Sequence, residues 1–283
     1  MRDGYESTVA IFTPVSKPEG GSPLVVLLYG GGFLIGTCKD MAVWARACVT
    51  LYGATVVCPS YRLGPENKFP AAQNDVWDTL RWSIDNAASL GADPRKGFVL
   101  GGTSAGGQLS AVTAQKYVGE KLAPPLTGIW LSIPAILAHD FPPPKEYQDV
   151  FFSRDQNADA PILTSSAIDM IDEVYAMDHS SDMFSPFNAK NPHVGLPPTY
   201  FQVDGLDPLR DDGLIYERVL RAHSVTTRID VYPGLPHSHW SFFPGLRSTV
   251  KAQTDIVKGL GWLLGQDASP DKIVHVLTPS VAL

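Results

Sequence analysis

Val99-Leu100-Gly101-Gly102-Thr103-Ser104-Ala105-Gly106-Gly107-Gln108-Leu109 begins as a short apolar run, bunches four glycines around one serine, and continues into residues that form helices. Within it, Gly102-Thr103-Ser104-Ala105-Gly106 fits the pattern G-x-S-x-G. That pattern suits a sharp turn from strand to helix, with the serine held in a strained backbone conformation. Small residues two before and two after it let strand and helix approach without a Cβ clash. A glycine-rich turn with a solvated serine gives the same five residues, so the rest of the chain has to decide.

Upstream, Leu24 to Tyr29 is a continuous apolar run of the length of a buried parallel strand, and it leads straight into Gly30-Gly31-Gly32. Three glycines in that place allow the backbone to approach closely and turn its N–H groups inward. Asp40 is placed to cap a helix from about Met41 to Tyr52, and Ala54 to Pro59 reads as a second buried strand. Pro70 opens a helix to about Leu90, Phe98 to Gly101 is the strand before the serine turn, and Leu109 to Val118 continues a helix. Leu126 to Ile133 is a further strand, and Val9 to Phe12 an edge strand. Pro14 to Pro23 is turn-rich.

After Pro134 the rhythm breaks. From about Leu137 to Pro198 prolines and scattered aromatics leave one plausible helix, about Ser165 to Tyr175, so this stretch reads as an insertion lying over the sheet. Alternation then returns: strand Thr199 to Val203, helix Asp211 to His223, strand Arg228 to Tyr232, helix Ser248 to Leu264, and a loosely held tail after about Gln266. Strand–helix alternation over this length predicts one α/β domain, residues 1–283, with a doubly wound, mostly parallel sheet and the 137–198 insertion as a cap. Ligands bind outside the C-terminal ends of such strands. The triglycine, Ser104, Asp207 and His237 each fall just after a predicted strand.

The composition narrows the partners. The 283 residues are 44% hydrophobic and carry a net charge of −7. No basic stripe is present, which argues against nucleic acid. Cys38, Cys48 and Cys58 form no C-x-x-C pair, which argues against a disulfide framework and against a zinc site. No apolar run approaches the length of a membrane span, and the first ten residues lack a signal-peptide core. A cytoplasmic protein acting on a small molecule, with no cofactor and no metal, is the expectation. The sequence sets no oligomeric state.

A serine hydroxyl is a poor nucleophile until a base takes its proton and an acid orients that base. Chain order Ser, acid, His is met by Ser104, an aspartate of Val203-Asp204-Gly205-Leu206-Asp207-Pro208-Leu209-Arg210-Asp211-Asp212, and a histidine of Pro236-His237-Ser238-His239. Asp204 and Asp207 compete as the acid; Asp211 and Asp212 sit at a helix start, where carboxylates cap or answer the dipole. His237 and His239 point to opposite sides if the loop is extended, so one of them faces the serine. H-x-H also invites a metal, but no third ligand is identifiable. Gly30-Gly31-Gly32 and the N–H of Ala105 are placed to meet negative charge on a tetrahedral carbon.

From about Leu24 to Trp262 the chain resembles the hormonesensitive-lipase-like family of α/β-hydrolases. The resemblance rests on Gly30-Gly31-Gly32-Phe33 for its H-G-G-G loop and on Tyr61-Arg62-Leu63-Gly64-Pro65-Glu66 with Phe69-Pro70-Ala71-Ala72. Gly102-Thr103-Ser104-Ala105-Gly106-Gly107, Asp207-Pro208-Leu209-Arg210-Asp211 and Tyr232 to His237 complete it. It implies an α/β-hydrolase fold with Ser104, Asp207 and His237 as catalytic triad and Gly31, Gly32 and Ala105 as oxyanion donors. It also points to Tyr29, Phe33, Thr103 and His239 as substrate-contacting residues. Two of these depart from the family pattern: Tyr29 stands where the family has its loop histidine, and Ser238-His239 follows the catalytic histidine in place of a pair such as G-F. The family's N-terminal cap segment has no counterpart here, which predicts a more open pocket. The activity implied is serine ester hydrolysis of small to medium apolar acyl or aryl esters. The alternative is a non-hydrolytic tailoring reaction (dehydratase, cyclase or lyase) of a natural-product pathway.

Overall fold

The computed structural model of the chain describes residues 1–16 and 18–278. Lys17 in the turn-rich stretch and residues 279–283 of the expected tail lie outside the described residues. The elements are β1 (Val9–Phe12), β2 (Leu24–Leu28), α1 (Ala42–Tyr52), β3 (Thr55–Pro59), α2 (Ala71–Asp85), β4 (Phe98–Thr103), α3 (Ala105–Gly119) and β5 (Gly128–Ser132). They continue with α4 (Ser153–Gln156), α5 (Ser165–Tyr175), β6 (Thr199–Leu206), α6 (Arg210–Ala222), β7 (Thr227–Pro236), α7 (His239–Phe242), α8 (Arg247–Leu263) and α9 (Pro270–Leu277).

The strands form one seven-stranded sheet in the order β1-β3-β2-β4-β5-β6-β7. Every neighbouring pair is parallel except β1 with β3 at the edge. β2 (Leu-Val-Val-Leu-Leu) and β3 (Thr-Val-Val-Cys-Pro) are buried at every residue, as a parallel strand covered on both faces must be. Each such side chain contributes about 2 kcal/mol by leaving water. Two helix groups supply the cover: α1, α8 and α9 contact one another, and α2 contacts α3. β4 lies at the centre, so the Ser104 turn leaves the sheet from its middle strand.

Three boundaries differ from expectation for local reasons. Thr37, not Asp40, starts the first helical turn. Its hydroxyl accepts from Lys39 N, while Asp40, three residues on, accepts from Thr37 N at 2.8 Å, a reciprocal cap. α2 stops at Asp85, because Asn86 folds back and donates to Trp82 O at 2.9 Å. The expected loose tail is instead helical over Pro270–Leu277: Ser269 caps it and Ile273 is fully buried.

Between β5 and β6 the chain leaves the sheet, with α5 as its longest helix, over the residues expected from its pattern. Aspartates anchor this segment. Asp212 Oδ1 accepts from Ile136 N and Leu137 N at 2.9 Å each, and Asp211 Oδ2 from Phe152 N and Ser153 N at 2.8 and 2.7 Å. Arg154, inside the segment, donates to Asp212 at 3.2 Å and to Leu137 O at 2.6 Å. Asp211 and Asp212 therefore clamp the segment rather than merely answering the dipole of α6.

Candidate active site

Ser104 joins β4 to α3 at φ 52°, ψ −119°. A side-chain-bearing residue held there costs on the order of 1–3 kcal/mol, which the surrounding packing must offset. The constraint is visible at Gly106, where an added Cβ would strike the carbonyl oxygens of Leu28 and Tyr29. Ser104 N donates to Ser132 O at 2.8 Å, and Gln108 N to Ser104 O at 3.0 Å, so the turn is fixed from both sides.

The triglycine lies against this turn. A Cβ on Gly30 would sit 2.9 Å from Thr103 O and 3.1 Å from Ser104 Cβ. Gly31 and Gly32 have φ of 124° and 58°, and Gly31 O accepts from Leu34 N and Ile35 N at 3.1 Å each. The amides of Gly31 and Gly32 donate to none of the described residues. The amide of Ala105, the first residue of α3, belongs to the helix end that has no acceptor within its own helix. Three N–H donors thus stand in the loop and helix end beside the serine. Behind the loop, Tyr29 stacks on Tyr61 with centroids 4.2 Å apart, and Tyr61 Oη donates to Tyr29 O at 2.8 Å. Arg62 next to it is paired with the buried Asp75 at 2.7 Å. The Tyr61-to-Glu66 segment therefore braces the glycine loop.

His237, on the turn between β7 and α7, brings Nε2 to 3.0 Å from Ser104 Oγ, and its Nδ1 donates to Asp207 Oδ2 at 2.7 Å. Asp207 is fully buried and is held by Leu209 N, which donates to Oδ1 at 2.9 Å, and by Asn157, which donates to its carbonyl. Burial opposes charge on His237, but the carboxylate of Asp207 outweighs it, and the imidazole is held above its ordinary pKa. Of the alternatives left open by the sequence, His237 and Asp207 are the pair that reaches Ser104.

Asp204 and His239 pair with each other. His239 Nδ1 donates to Asp204 Oδ1 at 2.9 Å, and both residues are fully buried. The H-x-H sequence is thus divided between two acids. Three of the four residues expected to contact substrate are buried and stack on neighbouring rings. Tyr29 lies behind the loop against Tyr61, His239 is enclosed by Tyr232 and Trp240, and Phe33 stacks on Tyr175 of α5 at 4.8 Å. Thr103 is half-buried beside Gly30.

The segment between β5 and β6 reaches the glycine loop. A Cβ on Gly32 would lie 2.7 Å from Cδ1 of Ile171, so α5 rests on the loop. A cavity of about 260 Å³ opens within the segment, lined in part by Ala138, Arg154, Ile168, Asp172 and His179. His179 bridges Asp140 and Asp172 at 2.6 and 3.1 Å. Burial pushes Asp212 up to about 6, against the pull of Arg154 and the two amides. The Arg154–Asp212 and His239–Asp204 pairs were not legible as pairs. The one signal was an arginine in the aromatic run Phe151-Phe152-Ser153-Arg154.

A family model described as alpha/beta hydrolase fold matches residues 25–241. The chain belongs to the hormone-sensitive-lipase-like α/β-hydrolases and is a carboxylesterase-like hydrolase. An AB hydrolase superfamily protein of Schizosaccharomyces pombe is 36% identical over 95% of this chain and 79% of its own. Carboxylesterase NlhH of Mycobacterium tuberculosis is 38% identical over 84% of this chain and 74% of its own. Among solved structures, vibralactone cyclase superposes with a TM-score of 0.85 at 32% identity, covering 93% of this chain and 78% of that one. Among the described residues no helix is long and apolar enough to cross a membrane.

Proposed function

We propose that the protein hydrolyses carboxylic esters with small to medium apolar acyl or aryl groups through an acyl-enzyme on Ser104. The observation that carries this reading is the unbroken line from Ser104 Oγ through His237 to Asp207, at 3.0 and 2.7 Å. His237 Nε2 takes the Ser104 proton as Oγ attacks the ester carbonyl carbon. Negative charge on the carbonyl oxygen meets the amides of Gly31, Gly32 and Ala105; a single donor of this kind is worth roughly 3–4 kcal/mol in the barrier. The tetrahedral species collapses, and the leaving alcohol receives the proton from Nε2. Water then attacks the acyl carbon with His237 again as base, the carboxylic acid departs, and Ser104 recovers its proton. Asp207 holds the tautomer in which Nε2 is free to accept. Residues 137–198 act as the cap over the bound ester. The unpaired, buried Cys38, Cys48 and Cys58 support a reducing, cytoplasmic setting.

The purified protein is expected to release p-nitrophenolate from p-nitrophenyl acetate or butyrate and to be labelled on Ser104 by a fluorophosphonate; Ser104→Ala removes both. The similarity to vibralactone cyclase favours a second reading, a non-hydrolytic cyclase or lyase on the same triad. Labelling at Ser104 without turnover of any ester in a chain-length panel selects that reading. Absence of labelling overturns both.

A further inference from the structure

The reaction as proposed uses one histidine–aspartate pair, and a second lies beside it. Asp204 precedes Asp207 by three residues and His239 follows His237 by two. Residues three apart on a regular strand face opposite ways. Here the register of β6 against β7 shifts between Asp204 and Leu206, and Ser238 takes φ 56°, and each acid meets its own imidazole at the end of these two strands, at 2.9 Å for Asp204 with His239 and 2.7 Å for Asp207 with His237. Tyr232 and Trp240 pack on the His239 ring, each at 5.2 Å between centroids. Asp204 Oδ2 and His239 Nε2 are buried without a partner among the described residues. Two orphaned polar atoms make the pair a poor device for stability alone, since well-packed apolar replacements of such buried pairs are often neutral or stabilising.

We propose that Asp204 and His239 are positioning residues, a second and non-reacting rung that fixes the turn carrying His237 and sets a second carboxylate behind its imidazole. This rests on the serine-hydrolase reading for its consequence in turnover, but not for its effect on His237 itself. His237 is hydrogen-bonded to Asp207 and Ser104, and the charges of Asp204 at the end of β6 and Arg154 of α4 also act on it. Those facing the second pair are Asp207, His237 and Tyr232. Burial opposes protonation of His237, Asp207 and then Asp204 favour it, Arg154 opposes it, and the balance is upward. Taking away the Asp204 charge therefore lowers the pH at which His237 loses its proton.

The test is a carbon-13 NMR titration of the His237 imidazole in the full chain, with the pH profile of kcat/KM on p-nitrophenyl butyrate beside it. Asp204→Asn is expected to move the His237 titration and the acid limb of kcat/KM to lower pH, on the order of one pH unit. His239→Phe keeps the packing but leaves Asp204 buried without a donor, so that carboxyl neutralises and the shift has the same direction. His239→Asn keeps a donor near the position of Nδ1 and is expected to restore the wild-type profile. If Asp204→Asn fails to fold, the His239→Phe and His239→Asn pair carries the test. His237 titrating alike in wild type, Asp204→Asn and His239→Phe reduces the second pair to a structural tie and overturns the proposal. A wild-type protein that turns over no ester and takes no label overturns the functional reading instead, and the NMR arm still judges the rung.

Discussion

His237 and His239 lie two residues apart on one turn, and each sets Nδ1 against an aspartate near the end of β6, at 2.7 and 2.9 Å. The pairs differ at the far nitrogen. Nε2 of His237 stands 3.0 Å from a serine oxygen, whereas Nε2 of His239 is buried with no described partner. An acid–imidazole pair is therefore not what marks a site in this molecule; a second imidazole nitrogen within reach of a nucleophile is. The contrast extends to the other carboxylates of the segment. Of the four aspartates at 204, 207, 211 and 212, one is turned through a histidine to the serine, one to a buried histidine, and two to the segment between β5 and β6.

The sharpest way to break the contrast is to remove each partner of the reactive line. His237→Ala and Ser104→Ala are expected to lower kcat on p-nitrophenyl butyrate by roughly 10⁴–10⁶-fold, because residues that act as a unit fail together. His239→Phe is expected to leave kcat within about tenfold at the pH optimum, since it removes no reacting atom. Fluorophosphonate labelling separates the two directly. Labelling lost with His239→Phe and kept with His237→Ala would reverse the assignment of the base. Next in size is Asp207→Asn. It preserves shape but favours the wrong tautomer of His237, and a loss of about 10⁴-fold in kcat is expected from the loss of that orienting charge.

Much of this was legible because glycine, proline and β-branched residues act locally. The buried strands, the turn at Ser104 and the extent of α5 follow from runs of residues whose backbone preference and packing agree. What was not legible depends on groups brought together from distant parts of the chain. Asp204 lies closest to the strand end and rivals Asp207 on sequence alone; the register shift after residue 204 has no local signal in the chain. Tyr29 and His239 depart from the family pattern, and the sequence does not show what packs on them. Both serve the frame of the site, one stacked behind the glycine loop and the other paired behind His237. The helix Pro270–Leu277 was missed because its apolar contact, Ile273, has meaning only once α1 and α8 stand beside it.

The two aspartates that anchor the segment between β5 and β6, Asp211 and Asp212, test whether carboxylates without a histidine partner are structural. Arg154→Met leaves the fully buried Asp212 without its cation, and breaking a buried pair from one side costs about 3–5 kcal/mol. The pH dependence has a definite sign. Burial raises Asp212 from its ordinary value near 3.8 to about 6 in the folded protein. Between those two pH values the folded chain holds a proton that the unfolded chain has released, so this group adds stability as pH falls through that window. Without Arg154 the displacement is larger and so is the gain on acidification. Urea unfolding at pH 7 and pH 5 should therefore show the deficit of Arg154→Met against wild type narrowing at the lower pH. A deficit of equal size at both would mean that Asp212 carries no charge to be relieved.

Asp211 gives the smallest effect and the finest discrimination. Its Oδ2 accepts both Phe152 N and Ser153 N, while the partly exposed Arg210 donates to Oδ1 at 2.8 Å and more weakly to Oδ2 at 3.3 Å. Asparagine can set its one carbonyl oxygen where Oδ2 lies and keep both bonds, losing only the arginine contact. Asp211→Asn is thus expected to cost about 1 kcal/mol in urea unfolding, near the worth of one hydrogen bond. Asp211→Ala strands both amides, each an unmet donor worth about 1–3 kcal/mol where it is buried. The charge of Asp211 does not enter the reaction, so kcat should stay within about twofold for Asp211→Asn, against about 10⁴-fold for Asp207→Asn. A large loss of kcat in folded Asp211→Asn would show that the amides of Phe152 and Ser153 are coupled to the Ser104–His237–Asp207 line, and that the division between the two carboxylates paired with histidines and the two that anchor the segment between β5 and β6 is drawn in the wrong place.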